Sequence, residues 1–206
     1  MAETVAALIV GVDEAGRGPL AGPVVAGAVI LGEARIAGLA DSKKLSAKRR
    51  AVLEIAIKAQ CRWAIGVVEP QEIDRINIFA ATMRAMALAV ADLAKGCGAV
   101  PLTTLIDGNL TPIGRLPEWR WPARAIVGGD AIEPCISAAS IIAKQHRDQI
   151  MAALAIEHPQ YGWERNAGYG TREHLAALAA HGATPHHRRS FAPVAQLGLF
   201  GAISPS

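Results

Sequence analysis

Apolar residues run almost unbroken through Ala7 to Val12, Leu102 to Ile106 and Ala125 to Val127, and an acidic residue stands at or shortly beyond the end of each run. Short apolar runs rich in branched residues and bounded by glycine read as buried strands. Residues 6–13 and 23–31 form two such strands joined by a glycine-rich turn, and 61–68 a third, in which Trp63 and Ile65 alternate with smaller residues. A β-meander therefore opens the fold. Between its strands Ser46 suits an N-cap for a helix to about Lys58, with Val52, Leu53 and Ile57 on one face. Pro70 opens a short helix and Asn77 a longer one to about Lys95, ended by Gly96 and Gly98. A strand then reaches Asp107, an irregular loop rich in proline fills 110–122, and a strand spans 123–127. A further helix starts at about Ser137 with small residues that permit close approach to another backbone, and Thr171 caps a last one that ends at Gly182. The pattern predicts an α/β protein with a mixed sheet flanked by helices. With no repeat or low-complexity linker, residues 1–206 read as a single domain whose segment at about 150–206 is helical.

Composition narrows this. A chain of 206 residues, half of them apolar, is long enough to bury a sizeable core. Cys61, Cys97 and Cys135 are odd in number and lack CxxC spacing, which suggests neither a disulfide framework nor a zinc site and leaves them as small core residues. The first ten residues have no basic start, and the uncharged run after Arg17 is broken by prolines and too short for a bilayer. A cytoplasmic protein with no membrane partner is expected. The net charge is only +3, but the basic residues come in clumps: Lys43, Lys44, Lys48, Arg49 and Arg50, and then His186, His187, Arg188 and Arg189. Each clump alone is most simply a solvated face. Beside an acidic metal site they become candidates for a polyanionic partner.

Four acids suggest such a site: Asp13 and Glu14 in GVDEAGRG, Asp107 in LIDGN and Asp130 in VGGDA. Carboxylates emerging where neighbouring strands end converge at one sheet edge, where α/β folds place their chemistry. Successive residues of a strand face opposite ways, so Asp13 is expected to end its strand and Glu14 to enter the turn. An all-oxygen shell selects magnesium or manganese, and without a cation four carboxylates this close repel one another. Taken singly, Asp in DG or GGD is equally a turn residue. The GRGPLAGP segment matches neither nucleotide-binding glycine signature, but its glycines allow a ligand close to the backbone, a sugar hydroxyl among the candidates. The histidines show no HExxH and most of them read as surface residues, and the serines of SAAS lack a nucleophile elbow.

Taken in order, GVDEAGRGPLAGPVV, DSKKL, NIFAAT, LIDGN, VGGD, ISAASIIAKQHRD, HPQYGW, NAGYGTREH and HRRSFAPV resemble bacterial type 2 ribonuclease H, ribonuclease HII, over nearly the whole chain. The resemblance implies an RNase H-like catalytic domain. The implied activity is endonucleolytic hydrolysis of RNA in RNA–DNA hybrids and of single ribonucleotides in duplex DNA, cut on the 5′ side to leave 3′-hydroxyl and 5′-phosphate ends. It further implies that Asp13, Glu14, Asp107 and Asp130 are catalytic ligands of two divalent ions, Mn²⁺ or Mg²⁺, in the two-metal scheme. Gly16, Arg17 and Gly18 match the motif whose backbone reads the 2′-hydroxyl, and Tyr169 matches the tyrosine that contacts this hydroxyl and stacks on the next sugar. Lys43, Lys44, Ser140 at its helix start, Lys144 and Arg188 are candidate phosphate contacts.

Two positions depart from the family pattern: Gly128 stands where Lys is frequent and Gln145 where an apolar residue is. A DNA-only nuclease with strand-end carboxylates would have no hydroxyl for GRG and Tyr169 to read. Ribonuclease HIII carries an extra N-terminal domain, whereas about a dozen residues precede Asp13 here. A hybrid-binding module would bind without metal-dependent cleavage. The expected partners are RNA–DNA hybrids and ribonucleotide-containing duplexes, acted on by a monomer. Gln196, Leu199 and Phe200 in the terminal QLGLFGAISPS invite a sliding-clamp peptide reading, though a flexible end with a few apolar residues is the favoured account.

Overall fold

The computed structural model describes residues 7–39, 45–98 and 102–200, without the side chains of 197–200. Lys43 and Lys44, and the side chains of Leu199 and Phe200, lie outside this set. Five strands form one sheet in the order β3-β2-β1-β4-β5: β1 (Leu8–Ala15), β2 (Val24–Ile30), β3 (Arg62–Val68), β4 (Leu102–Asp107) and β5 (Ala123–Ile126). β1, β2 and β3 pair antiparallel, with helix α1 (Ala47–Gln60) inserted before β3, while β4 and β5 run parallel to β1. The Ser46 hydroxyl caps α1 by accepting from Arg49 N–H at 3.2 Å.

Period-2 alternation divides the strands between two faces. Val10, Val12, Ala26 and Ala28 pack on α2 (Pro70–Lys95) with Met83, Met86 and Val90. Asn77 breaks α2 with φ +67°, and its Oδ1 accepts from Phe79 and Ala80 N–H at 3.0 and 3.1 Å. The two helices expected on either side of Asn77 are thus present, meeting at this non-helical residue within the span labelled α2. By length and apolarity α2 passes for a membrane span, but its apolar side is spent on the sheet, as in any core helix.

The opposite face carries α1 and α4 (Pro134–Glu157). α4 lies so close that a Cβ on Gly11 would fall 2.1 Å from the Cys135 carbonyl carbon, and one on Gly27 2.5 Å from the Ala139 oxygen. Small residues on both sides permit this contact. α4 begins at Pro134, earlier than the expected Ser137, because proline at the first helical position needs no donor. It follows a four-residue helix, α3 (Gly129–Ile132). The C-terminal region adds a 3₁₀ turn at Pro159–Tyr161, then α5 (Trp163–Asn166), α6 (Arg172–His181) and α7 (Ala192–Phe200) around a second core of Met151, Tyr161, Trp163 and Leu178. The terminal segment read as a flexible end is helical from Ala192 to Phe200. Cys97 and Cys135 are buried thiols and Cys61 is half-buried.

Candidate active site

Asp13 and Asp107 leave neighbouring parallel strands one position beyond the Val12–Ile106 pair, so both face α4. Asp130 joins them from α3: carboxylate oxygens of Asp13, Asp107 and Asp130 all lie within 4.8 Å of one another. The Asp130 backbone N–H donates to Asp107 Oδ1 at 3.3 Å. Asp130 was expected at a strand end. In fact β5 stops at Ile126, and Gly128, with φ +66°, turns the chain into α3 before the acid.

Glu14 also differs from expectation. β1 continues paired to β2 through Ala15, so Glu14 stays on the strand and alternation turns it to the α2 face. There it lines a cleft with Asp107, Asn109, Phe79 and Thr82, and its Oε1 meets the Arg17 guanidinium at 3.3 Å. Asp13 is 4% exposed. Burial first, and then the Glu14 and Asp107 carboxylates, push its carboxyl well above the usual range, against hydrogen bonds from the Ser140 side chain and the Glu14 backbone. A buried cluster of oxygen donors that repel one another fits a hard divalent cation, which would remove the repulsion and complete the shell.

Glu14 also borders a second cavity, of about 240 Å³, lined by Gly16, Arg17, Gly18, Ser140, Lys144, Arg147 and Tyr169. This brings the glycine turn and Tyr169, which come from opposite ends of the chain, to one wall each. Tyr169 is 49% exposed, and a Cβ on Gly18 would lie 3.5 Å from its ring. Gly16 holds φ +97°, and a Cβ there would fall 2.0 Å from Arg147 Nε, so both conformation and space demand glycine. Lys144 reaches this cavity while paired with Asp148.

Two expected phosphate contacts are placed otherwise. Ser140 is seven residues into α4, not at its start, and is buried with its side chain bonded to Asp13. Arg188 is fully buried, donating to the carbonyls of Gly22 at 2.9 Å, Arg17 at 2.9 Å and Gly16 at 2.5 Å. Each of its three guanidinium nitrogens donates to a main-chain carbonyl inside the protein. Arg147, not singled out in the sequence, behaves alike, donating to Pro23 at 3.0 Å, Ala167 at 2.9 Å and Ala21 at 2.9 Å. Burial lowers both guanidinium groups, to about 10 for Arg147 and about 9 for Arg188, the latter lowered further by its neighbour Arg147.

The histidines are not all at the surface either. His174 and His187 are buried, with Nε2 atoms 3.1 Å apart. Thr184 N–H donates to His187 Nδ1 at 3.0 Å, which fixes the proton of His187 on Nε2, facing His174. His174 Nδ1 then donates to the Tyr169 carbonyl at 2.9 Å, so a neutral pair stands behind the tyrosine wall.

Comparison with known proteins gives a consistent picture. The family model described as ribonuclease HII matches residues 10–194. Ribonuclease HII of Novosphingobium aromaticivorans is 70% identical over 196 residues, covering 92% of this chain and 98% of that protein. That of Sphingopyxis alaskensis is 66% identical, covering 95% of this chain and 94% of that protein. Among solved structures, ribonuclease H2 from Pyrococcus horikoshii superposes with a TM-score of 0.74 at 25% identity, over 95% of this chain and 99% of that one. RNase HII of Archaeoglobus fulgidus, solved in complex with PCNA, gives 0.71 at 27% identity, over 88% and 93%. A Bst-RNase HIII solved with Mn²⁺ shares the fold at 0.75 and 19% identity, over 97% of this chain and 72% of that one.

Proposed function

The chain belongs to the ribonuclease HII family, and from that premise we propose that it cuts on the 5′ side of single ribonucleotides embedded in duplex DNA, as well as within the RNA strand of hybrids. As a family member it is a divalent-metal-dependent ribonuclease H whose substrates are RNA–DNA hybrids. The observation that carries the finer reading is Glu14, which borders both the cleft leading to Asp107 and the cavity between the glycine turn and Tyr169. A sugar seated in that cavity has its phosphate beside the acid cluster, and this couples the choice of sugar to the position of the cut.

Asp13, Asp107 and Asp130 would hold the first ion, with Glu14 the candidate for a second from the other face of β1. Two divalent ions held by this donor set would supply activation of a water and neutralisation of charge on the leaving 3′-oxygen. The remaining steps fall to the chain itself. Ser140 holds the Asp13 carboxyl in place, and the Asp130 N–H does the same for Asp107. The turn at Gly16–Gly18 offers backbone groups to a 2′-hydroxyl, the feature that separates RNA from DNA at a single position. Tyr169 gives the sugars a half-exposed aromatic surface. Lys144 and Arg17, at the cavity rim, supply positive charge to the backbone phosphates without reading sequence.

The test is cleavage of a labelled duplex with one ribonucleotide, in magnesium, in manganese and in chelator, beside an all-DNA duplex of the same sequence. A metal-dependent cut only on the 5′ side of the ribonucleotide is expected. Equal cutting of both duplexes would show a general nuclease, and binding without any cut would refute the enzymatic reading.

A further inference from the structure

Arg147 and Arg188 together hold six backbone carbonyls: those of Gly16, Arg17, Ala21, Gly22 and Pro23 in the glycine-rich segment, and that of Ala167 two residues before Tyr169. Neither forms an ion pair with a carboxylate among the described residues. Asp148 and Asp74 act on them only at a distance, and burying two neighbouring guanidinium groups without a direct carboxylate partner is costly, so their retention calls for a geometric reason.

The peptides supply one. No peptide bond among the described residues is cis, and in a trans peptide the C=O of one residue and the N–H of the next point in opposite directions. With the Gly16 and Arg17 oxygens drawn onto Arg188, the N–H groups of Arg17 and Gly18 turn away from it, and both residues line the cavity with Tyr169. Neither N–H has an acceptor among the described residues. Arg147 acts on the width of the same cavity, because it bridges the turn through Ala21 and Pro23 to the tyrosine wall through Ala167. Ala167 holds φ +47°, a left-handed conformation that costs an alanine on the order of 1 kcal/mol unless neighbouring contacts enforce it.

We propose that Arg188 and Arg147 are positioning residues for ribose recognition. Arg188 aims two turn amides at the 2′ position of the sugar, and Arg147 sets the gap between the turn and Tyr169. The inference rests on the reading of the cavity given under Proposed function. Only arginine meets this need, since its planar fork presents five donors in fixed directions, whereas lysine carries its three on a single nitrogen.

Arg188→Lys and Arg147→Lys keep the charge and lose the fork. For each variant and the wild type, kcat and KM are measured on a duplex with one ribonucleotide and on the same duplex with a 2′-fluoro nucleotide in its place, alongside Tm. Fluorine is a poor acceptor and cannot donate. The ratio of the two kcat/KM values is independent of the fraction of active molecules, so a loss of folded enzyme does not move it. In the wild type the ratio strongly favours the ribonucleotide. In Arg188→Lys it is expected to fall about tenfold, the scale of one well-made hydrogen bond, with KM for the duplex changed less than about twofold because phosphate contacts remain. Arg147→Lys is expected to move it in the same direction. A variant with lower Tm and lower rates but the wild-type ratio would overturn the proposal and leave these residues as structural braces. A wild-type ratio near one would instead refute the ribose reading itself, and this inference with it.

Discussion

Gly11→Ala tests whether the seat of α4 on the sheet sets the geometry of the acid cluster. The added Cβ would fall 2.1 Å from the Cys135 carbonyl carbon, 2.2 Å from its oxygen and 2.4 Å from Ile136 N, all of them backbone atoms that no rotamer change can move. Non-bonded carbons separate to about 3.5 Å, so strand and helix must part by on the order of 1.4 Å at this point. Overpacking of this kind costs about 1–3 kcal/mol, which in a chain of this size is a Tm loss of roughly 2–12 °C. Gly11 shares its strand face with Asp13, and α4 carries the Ser140 side chain that bonds to Asp13. A displacement on the 1 Å scale beside the reacting groups lowers kcat by about a hundredfold.

Gly66→Ala is the control. Its Cβ would lie 2.0 Å from the Ala85 oxygen of α2, an equal clash on β3 at the edge of the sheet, on the face opposite Asp13 and α4. It should lose similar stability while kcat, measured at least 10 °C below its Tm with saturating magnesium, stays within about threefold of wild type. Equal losses of kcat in the two variants, or an unchanged Tm in Gly11→Ala, would refute the coupling of helix seat to carboxylate geometry.

Asp13→Asn should abolish metal-dependent cleavage while leaving hybrid binding within about threefold in a gel-shift or anisotropy titration, since phosphate contacts dominate affinity. The same variant should lose the Tm rise that saturating magnesium gives the wild type, a stabilisation of about 2–3 kcal/mol at a hundred times Kd, read by scanning fluorimetry with and without chelator. Tyr169→Ala removes a half-exposed ring, so Tm should barely change while kcat/KM at a single ribonucleotide falls about 10–100-fold, the scale of lost stacking; a wild-type rate would remove Tyr169 from the site. Burial holds His187 at about 4, below its ordinary 6.5, so between those values the unfolded chain takes up a proton that the folded chain refuses. Stability contributed by neutral His187 is therefore present above about pH 6.5 and lost as pH falls toward 4. Relative to His187→Gln, the wild type should lose several extra degrees of Tm across that window, and parallel curves would contradict the neutral assignment.

Much of this architecture is legible in local pattern, because local physics decides it. The apolar runs bring Asp13 and Asp107 to adjacent positions on β1 and β4, Ser46 and Thr171 cap their helices, and Asn77 marks the break in α2. What stays hidden depends on partners far away in sequence. Glu14 remains on β1 because β2 pairs with it as far as Ala15–Val25, a register no local run encodes. Asp130 enters α3 with its N–H on an Asp107 carboxylate 23 residues earlier. The contrast is sharpest in His186 to Arg189, where four basic-type residues in a row look alike to a charge count. Yet His187 and Arg188 are buried while Arg189 is exposed, its backbone N–H and that of Ser190 held by Asp74.

Arg188 is set apart by acceptors 166 to 172 residues away, and those acceptors are main-chain carbonyls. Every residue type has one, so no complementary side chain advertises the contact. This explains why the acids can be found in the sequence and their supports cannot. A cluster of carboxylates suited to a hard cation announces itself by residue type. The groups that shape a sugar pocket only need the backbone to pass at the right place, and that is settled once the chain has folded.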